Sequence, residues 1–210
     1  MSSGPLAITM SLTNMFEYIS FTAPLLVVFF ITLLSIAQNS LEKGIIFNMG
    51  IVILSSIVLV LKNVIKSKQT VLASPFCNIL PSPFTVKDMG VIYNAPSLSG
   101  AILSFSSTYL IYPMIINKNS INYSLLVFLL SVTAINGVTE LNQKCSDIMG
   151  LVLGLLVGII FGIVYYTLLY MAAKEKYVYF ADTVSNNVQC GKPTNQQFKC
   201  QVYQNGEVIM

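Results

Sequence analysis

The stretch "IMGLVLGLLVGIIFGIVYYTLLYM", residues 148–171, carries no charged side chain over 24 residues. As a helix rising 1.5 Å per residue it crosses the ~30 Å hydrocarbon core of a bilayer. Gly150, Gly154, Gly158 and Gly162 recur at every fourth position, which puts them on one helical face. Small residues at this spacing let a second helix approach closely, so the face reads as a packing surface and not as a ligand site.

Working outward, further apolar runs fall at 19–37, 45–64, 95–114 and 121–136. Charged residues make up 9% of the chain, against about 25% in an ordinary soluble domain. A water-facing surface cannot be built from so little charge. The fold class expected is therefore all-α, a polytopic membrane bundle of about five helices with the lipid bilayer as its partner. Its expected organisation is a lead-in over 1–18, a bundle over 19–171 and a polar tail over 172–210. No basic residue precedes the first run, so that run reads as a retained helix and not a cleaved signal. Pro24 reads as a residue near the start of that helix, where proline costs least.

Residues 69–88, "QTVLASPFCNILPSPFTVKD", are apolar but broken by Pro75, Pro81 and Pro83, so the segment is expected to fold over one end of the bundle. With five spans, the segments 62–97 and 137–147 meet at the end where the first helix begins, here called end A. Cys77 and Cys145 then share end A, and Cys190 and Cys200 share end B. The tail holds "FKCQVY" and "EVIM" around Gln204-Asn205-Gly206, a hairpin signal. Cys190 and Cys200 are candidates to bridge there in an oxidising compartment. Asn122-Tyr123-Ser124 is formally a glycosylation sequon, read as lying too near the membrane to accept a sugar.

All 11 basic residues are Lys, and His and Trp are absent as well. Without His the commonest general base and metal ligand is missing; without Arg the bidentate phosphate clamp is missing. No metal, no cofactor and no nucleic-acid partner is expected. Lysines spread thinly over both ends leave the orientation open.

Three short segments carry a resemblance. "SKQTVLASP" ends at Pro75, "PSLSG" opens the third helix, and Asp147 precedes the fifth. Over roughly residues 45–165 the layout resembles the type 2 phosphatidic acid phosphatase (PAP2) and haloperoxidase superfamily. That family carries Lys, six residues, Arg-Pro; then Pro-Ser-Gly-His; then Ser-Arg, a spacer, His, three residues and Asp. On this chain the first motif falls with Ser67 at the Lys position, Ser74 at the Arg position and Pro75 retained. In the second, Pro96 and Ser97 are retained, Leu98 replaces Gly and Ser99 replaces His. In the third, Asn136, Gly137 and Gln143 stand at the Ser, Arg and His positions, and Asp147 is retained. In the family the third motif's His attacks phosphorus while the second motif's His protonates the leaving group. A neutral amide at Gln143 and a hydroxyl at Ser99 supply neither function.

The resemblance thus implies a catalytically inactive member with a structural or scaffolding role. Lys66, Lys68 and Lys144 are candidates to touch a phosphate or lipid headgroup. The bland readings are that Ser97 and Asp147 cap helices and that Glu140 and Lys144 form an i,i+4 pair. The tail is similar in style to membrane proteins encoded by large DNA viruses, which implies an internal virion membrane and contacts with capsid or other membrane proteins. The competing readings are an active lipid phosphate phosphatase, needing His from another chain, and a small transporter or channel. The latter has only the hydroxyl-rich third helix in its favour, because no charge is expected inside the spans.

Overall fold

The computed structural model describes residues 12–70, 73–74, 77, 87–88, 91–116, 122–173, 177–179, 202–204 and 207–209. Five helices make up the bundle: α1 (Leu12–Ala37), α2 (Leu41–Ile65), α3 (Leu98–Ile116), α4 (Tyr123–Asn142) and α5 (Ile148–Ala173). All five are long and apolar enough to cross a membrane. Their outward faces carry exposed Phe29, Phe30, Val52, Val60, Ile160 and Met171. Large apolar side chains turned outward along the helices that surround α3 suit a lipid solvent and would be costly in water.

The helix α3 is the centre. Two-thirds (67%) of its apolar window is buried, against 22–33% in the other four. Its closest neighbour is α5, along the glycine face. A methyl group at Gly158 would overlap Ser104 Oγ and the Ala101 carbonyl oxygen, and one at Gly154 would overlap the Ser97 carbonyl oxygen. At Gly154 and Gly158 the α5 backbone therefore lies directly against backbone atoms of α3, with only small side chains such as Ser104 at the seam. Toward end B the seam gives way to rings: Phe105 stacks on Phe47 at 5.7 Å and Tyr109 at 5.7 Å, and leans on Phe161 and Tyr165. Tyr165 Oη donates to the Ile46 carbonyl at 2.7 Å, tying α5 to α2.

The hydroxyls of α3 do less across helices than their number suggests. Ser104 donates to the Ala101 carbonyl and Ser106 to the Ile102 carbonyl within their own helix. In an apolar medium this back-bonding satisfies the group without a partner helix.

Two helix limits differ from the sequence reading for identifiable reasons. The first helix starts at Leu12, so part of the lead-in is helical, and Pro24 lies well inside α1. A proline in a helix interior leaves the carbonyl four residues back without its partner. Here that carbonyl belongs to Ser20, and Asn136 Nδ2 on α4 donates to it at 2.9 Å. A fully buried amide thus repairs the gap that allows the helix to continue through Pro24. The second difference is α4, which runs on to Asn142 instead of ending near 136; Gly137 within it lies against Leu151 of α5.

At end A the described parts of the link from α2 to α3 are held to one another by backbone bonds. Gln69 N–H donates to the Ile92 carbonyl and Asn94 N–H to the Ser67 carbonyl, while β1 (Lys87–Asp88) pairs antiparallel with β2 (Val91–Ile92). A disulfide joins Cys77 to Cys145, fastening this link to the turn between α4 and α5. In the tail, β3 (Val202–Gln204) pairs antiparallel with β4 (Glu207–Ile209), with Gln204 opposite Glu207. The suggested Cys190–Cys200 bridge lies outside the described residues.

Two stability predictions follow from this packing. Gly158→Ala should destabilise the protein by about 1–3 kcal/mol through overpacking, while Leu156→Ala on the lipid-facing side should change little; thermal melting in detergent compares them. Asn136→Ala should cost about 1–3 kcal/mol by orphaning the Ser20 carbonyl. In a Pro24→Ala background the restored backbone bond should make that cost smaller, which a double-mutant cycle measures.

Candidate functional site

End A encloses a cavity of about 220 Å³ between α1, α2, α3 and α4. Its polar wall is built outward from Ser97. That residue caps α3, its Oγ accepting from the Gly100 N–H at 3.1 Å. Its own N–H donates to the Gly150 carbonyl of α5 at 2.9 Å. Its hydroxyl donates to the Glu140 carboxylate, 2.7 Å from Oε2. Ser99 Oγ also donates to Glu140, at Oε1. One turn of α3 thus presents two hydroxyls to one carboxylate from α4.

Glu140 is 5% exposed and Lys62, from the last turn of α2, is 8% exposed. Both line the cavity, and each lies in the other's electrostatic field. The sequence reading had expected no charge within the spans. The correction comes from helix length: α4 carries Glu140 inside the bundle instead of leaving it on an exit loop, and Lys62 turns inward before α2 ends. The i,i+4 pairing of Glu140 with Lys144 is likewise replaced. After Asn142 the chain leaves the helix, Lys144 takes a left-handed φ of 54° and is exposed, and Glu140 points to the serines.

Asn94 completes the wall. It is 6% exposed, and neither Nδ2 nor Oδ1 finds a hydrogen-bond partner. Its backbone is fixed to Ser67, so the amide is held at the cavity with its donor and acceptor unused. A buried amide left unpaired is costly, which makes Asn94 the residue most in need of something in the cavity. Nothing in the sequence distinguished it from any other loop asparagine.

The remaining candidate positions divide between cavity and surroundings. Ser97 and Ser99 line the cavity, with Cys145 and Ser146 nearby. Gln143 turns away, its Nε2 donating to Glu17 Oε1 at 2.6 Å. Asn136 serves the Pro24 gap, Gly137 packs on Leu151, and Asp147 is exposed at the start of α5. Ser67 and Ser74 accept or donate through backbone atoms, Ser74 N–H to the Gln143 carbonyl at 3.2 Å. Pro96 is buried beside Ser97, and Pro75 lies outside the described residues. Lys66 and Lys68 are exposed at the end of α2, Lys66 as its left-handed C-cap.

No family model, no curated protein and no solved structure matches the chain. Among the described residues no group of three or more His, Cys, Asp or Glu side chains gathers to hold a metal ion. What the cavity offers chemically is a carboxylate held by hydroxyls, an ammonium and a free amide, in a chain that has no imidazole to add.

Removing one member of a buried charged set leaves the other uncompensated. Glu140→Ala should therefore destabilise the protein by about 3–5 kcal/mol, whereas the double variant Glu140→Leu with Lys62→Met should recover most of the loss. Thermal melting of the three proteins in detergent checks the pattern.

Proposed function

We propose that the chain is a non-catalytic structural protein of a membrane, built as a PAP2-like bundle in which its own carboxylate holds the serines at the motif positions. The observation that carries this reading is Glu140. Ser99, at the position of the family's proton-donating His, gives its hydroxyl to Glu140, and Ser97 does the same. A phosphate monoester entering this wall would meet a carboxylate already holding the donors, and like charges a few ångströms apart in a low-dielectric setting repel strongly.

As a structural protein the chain would use its bundle as a membrane platform. The C-terminal segment leaves from the opposite end to the cavity, where we place contacts with capsid or other membrane proteins. The setting in an internal virion membrane rests on the style of that segment alone.

Purified full-length protein in detergent, offered phosphatidic acid, should release no phosphate above a blank under conditions where an active lipid phosphatase does. Measurable turnover would overturn the non-catalytic reading.

A further inference from the structure

The cavity has two unlike ends. The polar end is set by Lys62, Glu140 and Asn94. The apolar end is set by Ile51 of α2, Val28 of α1 and Ile102 of α3. Ile51 and Lys62 are eleven residues apart on one continuous helix, which is about 16 Å of rise. That is about half the ~30 Å hydrocarbon thickness. Because Lys62 lies in the last turn of α2, the cavity runs from the membrane interface toward the midplane. Phe21 and the exposed Leu25 line it from α1, so one side opens toward lipid.

We propose that this cavity holds a single membrane lipid whose head carries no net charge, the head against Lys62, Glu140 and Asn94 and one acyl chain along Ile51, Val28 and Ile102. Three features select such a ligand. The shape is that of an amphiphile, polar at the interface and apolar at depth. The wall sets one amine-bearing side chain, Lys62, beside one carboxyl, Glu140, so it offers a group of each kind and not a cluster of one sign. Asn94 supplies one unused donor and one unused acceptor, so the head must hydrogen-bond in both senses. A zwitterionic phosphodiester head meets these conditions. A phosphate monoester brings excess negative charge to a wall that already contains Glu140.

The inference does not draw on the PAP2 resemblance and stands apart from the absence of turnover, which is read in a different assay. Full-length protein is stripped of lipid in detergent, offered an equimolar mixture of phosphatidylethanolamine and phosphatidic acid, and examined by native mass spectrometry. One phosphatidylethanolamine per chain should be retained, with about tenfold preference over phosphatidic acid. Asn94→Leu should weaken retention about tenfold, the effect of losing buried hydrogen bonds. Val28→Trp, which fills the apolar end and leaves the polar wall intact, should abolish it, and keeps the test open if the Asn94 variant does not fold. Glu140→Gln keeps the shape but unbalances Lys62, so it should shift preference toward phosphatidic acid. The proposal is overturned if wild-type protein prefers phosphatidic acid, if no lipid is retained at one per chain, or if Val28→Trp retains lipid as well as wild type does.

Discussion

The close approach of α3 and α5 is the constraint on which the remainder of the bundle depends. In lipid, helices gain little from hiding apolar surface, because the surrounding chains are as apolar as the partner helix. Contact must then come from dense packing and a few well-placed hydrogen bonds. The glycine face of α5 allows α3 to rest directly on its backbone. That contact also carries the Ser97 N–H to the Gly150 carbonyl and so fixes where α3 begins. The hydroxyls of Ser97 and Ser99 are aimed at Glu140 as a result. A packing feature in the middle of the membrane thereby sets the chemistry at its edge.

Several polar groups inside this bundle are answered from another helix and not from their own. The Ser20 carbonyl released by Pro24 is met from α4, across more than a hundred residues of sequence. The Gly44 N–H is met by Ser35 Oγ across the α1–α2 turn, and Asn48 reaches Thr32 between the same helices. Glu140 is met by the start of α3. An unsatisfied group in hydrocarbon is costly, so these links determine helix pairing more specifically than apolar contact does. They also let α1 tolerate a proline well inside its span.

The five helices, the glycine seam and the pairing of β3 with β4 were readable from sequence because each rests on local periodicity or a local turn signal. The Ser97 cap was readable for the same reason: a serine immediately before an apolar run has few other uses. The polar wall was not readable. Glu140 looked like part of a charged exit because "GVTELNQK" contains glycine and four ionisable or amide side chains, and its contact with the serines of α3 is a tertiary one. Lys62 sat among other lysines and nothing local marked it as the one that turns inward. Asn94 was silent for a deeper reason: its importance lies in what it fails to bond, and a missing partner leaves no trace in sequence. Asn136 illustrates the opposite error, a motif position whose role in the fold is to serve a proline on another helix.

The bond between Cys77 and Cys145 also has a geographical meaning. Such bridges persist in oxidising surroundings and are rare in a reducing cytosol. That bond joins two segments 68 residues apart in sequence at the end of the bundle that bears the cavity. A membrane with one oxidising side would keep it intact only if the cavity end faced that side. With five spans among the described residues, α5 would then end toward the opposite face.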